Sequence, residues 1–267
     1  MIKAVDRFSS GVTPTSNAPA EAGLHGRVLD HLGTAICGGE LAPGSVLNID
    51  DLVDRYAVSR SVVREVLRVL ASMGLVETRR RVGVMIRPAS HWNVFDPQVI
   101  RWRLASAGRI AQLRSITELR TAVEPHAAWL AAQRIDHDEA SELVGLAAKM
   151  WAAGKAGDEE RFLRLDIEFH RRVLFASGNE MFVKLQDLVA EVLTGPHHYH
   201  PMPHYPDEQA LALHADVAQA IQRHDGERAR RAMVRIMEQA FDEMKAMWEQ
   251  EHRVDAARSD HDRHPPG

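Results

Sequence analysis

Apolar positions are spaced differently in two parts of the chain. Between residues 24 and about 87 the periodic segments are short. "LHGRVLDHLGTAIC" has helical spacing and stops at Gly38-Gly39, "LAPGSV" reads as a turn, and "IDDLVDRYA" as a short helix. Ser59 is placed as the N-cap of a further helix that runs to about Met73, with Gly74 as its stop. On that helix Val62, Val63, Val66, Leu67 and Leu70 form one apolar stripe. "LVETRRRVGVMIRP" then sets β-branched residues on both sides of a polar tip and closes at Pro88, which predicts a small two-stranded hairpin.

From about residue 97 to 250 the period is helical almost throughout. It predicts helices near 97–106, 112–134, 137–154, 158–177, 180–194, 207–224 and 226–250, separated by "AGR", "RIDHD", "AGKAGD", "SGN" and "RHDG". The prolines of "GPHHYHPMPHYP" (195–206) predict an irregular loop there, unusually rich in histidine and tyrosine. Residues 1–22 and 252–267 lack apolar periodicity and read as a disordered arm and tail. The chain is 267 residues long and 45% hydrophobic, enough for one or two packed cores. No run of about 18 apolar residues is present, nor a secretory signal, so the expectation is a cytoplasmic protein with no membrane partner. The single Cys37 sits in an apolar run and reads as a small buried residue.

Charge changes this picture locally. The formal net charge is only −4, yet from Arg55 to Arg87 there are eight arginines against two glutamates, with no aspartate and no lysine. Short helix, three- to four-residue turn, second helix and basic hairpin follow in the order of a winged helix-turn-helix. Arg60 and Arg64 are four apart, hence on one face of the second helix, where arginine can pair bidentately with guanine. Ser59, Ser61 and the helix N-terminus suit phosphates. The tip carries Arg79, Arg80 and Arg81, with Gly83 allowing close approach to the duplex. A solvated face is the alternative for any one of these arginines. A block of one sign on helix and hairpin together points to double-stranded DNA as partner.

"VSRSVVREVLRVLASMGLVETRRRVGVMI", with "GGELAPGSVL" upstream, resembles the DNA-binding domain of GntR-type transcription regulators. The resemblance implies a homodimer on a short palindromic operator, with Arg60 and Arg64 reading bases and the wing around Arg81 and Gly83 assisting. One position departs from the family pattern. Ile49-Asp50 stands where relatives carry Glu-Arg, so a customary DNA-contacting arginine is missing.

In the second region "RLDIEFHRRVL" puts Asp166 and His170 four apart on a helix, a spacing that can hold a divalent metal such as zinc or the hydroxyls of a polar ligand. A structural hydrogen bond is the plainer reading of the pair alone. His214, isolated among Leu211, Leu213, Val217 and Ile221, is either a satisfied core histidine or a partner for the pair. "ITELRTAVEPHAAWLAA", "LDIEFHRRVLFASGN" and "LALHADVAQAIQRHDGERARRAM" follow in the order of the all-helical ligand-binding domain of the FadR (FCD) branch. There an Asp, the His four later and two more His commonly hold a metal under a small carboxylate effector. Asp166, His170 and His214 match three of these ligands. The fourth falls on Ile236, so the resemblance leaves open a metal with three protein ligands plus effector, or an effector bound directly by the polar cluster.

Arg120 is the group the resemblance assigns to the effector carboxylate; its alternative is an intrahelical pair with Glu124. "RPASHWNVFDPQVIRWRLA", bearing Trp92 and Trp102, resembles the linker of sugar-acid regulators of the D-galactonate repressor type, which implies an aldonate such as galactonate or gluconate as effector. Tyr199, His200 and His204 would then close the pocket, or else form an adventitious metal-binding tract.

The expected fold is mainly α. It comprises a winged helix-turn-helix at 23–88, a linker and linker helix at 89–108, and an all-helical antiparallel bundle at 109–251 for effector binding and dimerisation. The expected function is a ligand-responsive repressor rather than an enzyme. Two rivals stand beside it: a metal-dependent hydrolase using Asp166, His170 and His214, which leaves the basic block unexplained, and a helical module for assembly alone.

Overall fold

The computed structural model describes residues 23–199 and 208–263, which fall into two compact units divided between Gly108 and Arg109. The arm expected at 1–22 lies outside the described residues, as do His200 and His204. Among the described residues no helix is long and apolar enough to cross a membrane.

The first unit is built from α1 (Leu24–Cys37), β1 (Val46–Leu47), α2 (Ile49–Tyr56), α3 (Arg60–Ser72), β2 (Val76–Arg79), β3 (Gly83–Ile86) and α4 (Pro97–Leu104). The helices α2, α3 and α4 each start where a side chain can take an orphan N–H, while α1 starts after Gly23 without such a cap. Asn48 accepts from the Asp50 N–H, Ser59 from Val62 and Asp96 from Gln98. Ala57, in the left-handed region at φ 51°, ends α2 and begins the three-residue turn into α3. Val63, Val66, Leu67 and Leu70 of α3 are buried against Leu29, Leu32 and Ile36 of α1 and against Leu75 and Ile86 beyond. Each such side chain contributes roughly 1.5–3 kcal/mol.

The sheet differs from the expected two-stranded hairpin. It has three antiparallel strands in the order β1-β3-β2, because Val46 and Leu47 pair with Met85 and Val84. Two residues are too short a run to signal a strand by alternation.

The linker helix is also not a free connector. On α4, Trp102 is 3% exposed and donates its indole N–H to Asp30 of α1 at 3.0 Å. Its ring covers Gly33 so closely that a Cβ there would stand 2.3 Å away. Trp92 donates to the Arg87 carbonyl at 3.0 Å, and the Asn93 N–H to Met73 at 2.8 Å. Residues 89–104 are thereby packed into the first unit.

The second unit is helical: α5 (Arg109–Arg134), α6 (His137–Ala156), α7 (Glu159–Ala176), α8 (Glu180–Val183), α9 (Gln186–Tyr199), α10 (Glu208–Gln222) and α11 (Gly226–Arg263). α5 packs on α7, α10 and α11; α10 packs on α6 and α11; α7 packs on α6 and α9. Ala127, Ala128, Ala131, Phe169, Val173, Val217, Ile221 and Met233 meet in its core.

Three expectations are corrected here. The segment 180–194 is two helices, α8 and α9, rather than one. α9 continues through Gly195 and Pro196 to Tyr199, where an irregular loop was expected to begin. α11 runs to Arg263, beyond the end expected near 250, so residues 252–263 are helical rather than a disordered tail. Their composition does not announce a helix, because charge and alanine without an apolar stripe carry no period to detect.

Candidate functional site

The fold builds one polar surface on the first unit and one buried polar cluster inside the second. α3 turns its apolar stripe inward and leaves Ser59, Arg60, Ser61, Arg64 and Arg68 exposed. Arg79, Arg80 and Arg81 are exposed at the turn from β2 to β3. The Ser59 hydroxyl lies 3.3 Å from the Val62 N–H and 2.7 Å from Ser61 Oγ, so it is engaged in capping α3. Gly83 has a φ of 113°, and a Cβ on it would stand 3.2 Å from Val46 Cγ1. The hairpin itself therefore demands glycine there, whatever approaches from outside.

The arginines divide into two sets. Arg60 is held by Asp50 at 2.7 Å, Arg68 by Glu65 at 3.0 Å, and Arg79 by Glu77 at 2.7 Å. Exposed pairs of this kind contribute about 0–1 kcal/mol. Arg64, Arg80 and Arg81 have no ion-pair partner among the described residues. Asp50 is thus in contact with the residue expected to read bases.

In the second unit α7 supplies Asp166 and His170, and α10 supplies His214. One ligand atom from each lies within 4.8 Å of the others. Asp166 Oδ1 is 3.4 Å from His170 Nε2 and 3.0 Å from His214 Nε2. Asp166 Oδ1 and His214 Nε2 are buried without an aligned hydrogen bond. Each imidazole has an oxygen beside its far nitrogen, in a hydrogen bond for His214 and in a close contact not aligned as a hydrogen bond for His170. His214 Nδ1 donates to the Ala210 carbonyl at 2.7 Å, and His170 Nδ1 lies 2.5 Å from Glu124 Oε2 on α5. The Phe169 ring meets both imidazoles edge-on.

A divalent cation fits this arrangement. Histidines that ligate a metal through one nitrogen commonly donate the other N–H to a carboxylate or carbonyl. With bonds of about 2.1 Å, adjacent ligand atoms stand about 3.0 Å apart in octahedral and about 3.4 Å apart in tetrahedral coordination. Two imidazoles and a carboxylate, with two of the buried ligand atoms unbonded, form a donor set of that kind. The fourth position suggested by the resemblance, Ile236, is 7% exposed and belongs to the apolar core.

Charge is balanced across three helices. Burial opposes the charged form of Glu124, but Arg120 and His170 overcome it and hold the carboxyl down at about 2. Burial likewise opposes charge on Asp166, which its two histidines hold well below the usual carboxylate range. Against the same burial, Glu124 and Asp166 push His170 up to about 9.

Arg120 makes the intrahelical pair. Its Nε donates to Glu124 Oε1 at 2.6 Å, with side chains 6% and 2% exposed. Its terminal amines bond to no described residue. The structure thus brings Arg120, Glu124, His170, Asp166 and His214 into one chain of contacts. The link from Glu124 to His170 is the one that sequence reasoning missed, since it crosses from α5 to α7 and no spacing along either helix signals it. Tyr199 ends α9, and its side chain lies outside the described residues with His200 and His204.

Comparison with known proteins decides what carries these two sites. Residues 24–86 match the bacterial regulatory proteins of the gntR family, and residues 115–239 match the FCD domain. The chain joins a GntR-type DNA-binding domain to an FCD domain, the domain pair of a transcription regulator. This GntR regulator is similar to the galactonate operon transcriptional repressor of Escherichia coli K12, 29% identical over 216 residues, which span 79% of this chain and 92% of that one. It is similar also to the HTH-type regulator YieP of the same organism, 28% identical over 214 residues, 80% of this chain and 92% of that one.

Among solved structures, the Listeria monocytogenes protein Lar shares the fold, with TM-score 0.50 and 18% identity over 84% of this chain and 98% of its own. Streptococcus agalactiae GntR is 25% identical, with TM-score 0.45 over 81% of this chain and 98% of its own. These families and relatives are regulators of transcription, not enzymes, and the hydrolase reading of Asp166, His170 and His214 finds no support among them.

Proposed function

We propose that this GntR regulator is a homodimeric repressor of a palindromic operator, released when a small sugar acid binds its helical unit at a divalent cation held by Asp166, His170 and His214. The observation that carries this reading is the buried cluster itself. Its two imidazoles each have an oxygen beside Nδ1 and turn Nε2 toward one carboxylate oxygen. The similarity to a galactonate operon repressor supports an aldonate as the acid.

In this reading Glu124 fixes the ring of His170, and the Ala210 carbonyl fixes that of His214. The terminal amines of Arg120, unbonded among the described residues, take the effector carboxylate as a bidentate pair. A bound cation would supply Lewis-acidic charge for the carboxylate and neighbouring hydroxyls of the effector. On the DNA side Arg64, Arg80 and Arg81 are available to bases and phosphates, and Arg60 is presented by Asp50. The acid lowers operator affinity only by as much as it prefers the conformation unsuited to the operator.

A thermal-shift series after chelation tests the reading. Galactonate or gluconate with zinc is expected to raise the melting temperature and to release a duplex selected from a random library. Asp166→Ala is expected to remove both the bound metal, measured by mass spectrometry, and the response. A full response of metal-free Asp166→Ala would overturn the assignment of the cluster.

A further inference from the structure

The Asp50–Arg60 pair is a feature that the reading of this surface as a simple cationic patch does not absorb. Asp50 lies in the first turn of α2 and Arg60 at the first turn of α3, so the pair bridges the two helices flanking the turn. Asp50 Oδ1 is 2.7 Å from Arg60 Nη2, and the two side chains are 58% and 64% exposed. A carboxylate facing a polyanion raises the free energy of every complex in which it meets phosphate, whatever the sequence. The same carboxylate can take one corner of a planar guanidinium and leave the remaining N–H donors directed elsewhere.

We propose that Asp50 is a specificity-determining residue of the DNA-reading surface: it holds the plane of Arg60 for bidentate contact with a guanine and suppresses the use of Arg60 on phosphates of any sequence. The proposal rests on the assignment of α3 as the reading helix. Two physical consequences follow. An arginine tied at one corner pays less ordering entropy when it meets guanine O6 and N7, so the matched site is favoured. A cation neutralised by its neighbour releases fewer counterions from unmatched DNA, so non-specific binding is weakened and its salt dependence is shallower. Arg80 and Arg81 of the wing, unpaired among the described residues, are left to supply the non-specific attraction. In this division of labour the acid at position 50 contributes discrimination, and the free arginines contribute affinity.

The test uses the full chain and two duplexes, one selected by the wild-type protein from a random library and one with the same bases scrambled. Asp50→Asn and Asp50→Ala are expected to tighten binding to the scrambled duplex by about three- to tenfold and to steepen its log-log salt slope by about one. Affinity for the selected duplex changes less, so the ratio of the two affinities falls. In an Arg60→Ala background the same changes at position 50 leave the ratio where Arg60→Ala put it. A ratio unchanged by Asp50→Asn and Asp50→Ala overturns the proposal, as does a fall of equal size in the Arg60→Ala background. Failure of the wild-type protein to select any duplex would instead overturn the assignment of α3.

Discussion

Glu124 shows how much one residue can carry. It is 1% exposed, it accepts from Arg120 on its own helix, and it faces His170 on α7. Glu124→Gln leaves a buried guanidinium without its counter-charge and releases the ring of His170. It is expected to destabilise the protein by about 3–5 kcal/mol in urea denaturation, with the loss confined to the transition of the second unit.

His31 is a second case, and one that responds to pH. Its Nδ1 is 2.6 Å from the Tyr56 hydroxyl, and burial, assisted by Arg55, lowers its pKa below the ordinary 6.5. The folded state therefore takes up this proton at lower pH than the unfolded chain does. The contribution of His31 is complete above 6.5 and is lost as pH falls through its lowered value. The difference in melting temperature between wild type and His31→Gln is expected to shrink on acidification from pH 7.5 to 5. A constant difference would remove His31 from the account.

At the scale of elements, the informative case is α4. The sequence places it, with Trp102, in a linker between the domains. In the fold Trp102 lies on Gly33 of α1 and donates to Asp30, contacts 69 and 72 positions away in the chain that no local pattern could announce. Gly33→Ala puts a methyl group into the indole ring and is expected to cost about 1–3 kcal/mol by overpacking. The loss would be measured by urea unfolding, together with a red shift of tryptophan emission as the ring moves toward water. Unchanged stability would mean that the α1–α4 contact is loose. The helix α3 was readable by contrast, since Ser59 as cap, a five-residue apolar stripe and Gly74 as stop are all local signals. The strand β1 and the helical course of residues 195–199 and 252–263 were not, because neither has a periodic run long enough to register.

At the scale of the molecule, the chain has two units with separate cores, and the proposed function assigns operator reading to the first and effector binding to the second. Arg64→Ala is expected to weaken binding to a selected duplex by about 1–3 kcal/mol, roughly five- to 150-fold, while the thermal shift produced by acid and metal stays as in the wild type. Loss of that shift in Arg64→Ala would contradict the separation.

The chain by itself determined a basic helix-turn-helix followed by a helical region, and it placed Asp166 and His170 on one face of a helix, since such facts depend on spacing within a single element. It could not decide that Arg120 spends its Nε on Glu124, that Glu124 reaches His170, that Ile236 goes to the core, or that Asp50 meets Arg60. Those contacts join residues on different helices or choose between partners at equal spacing, and only packing brings such groups within bonding distance.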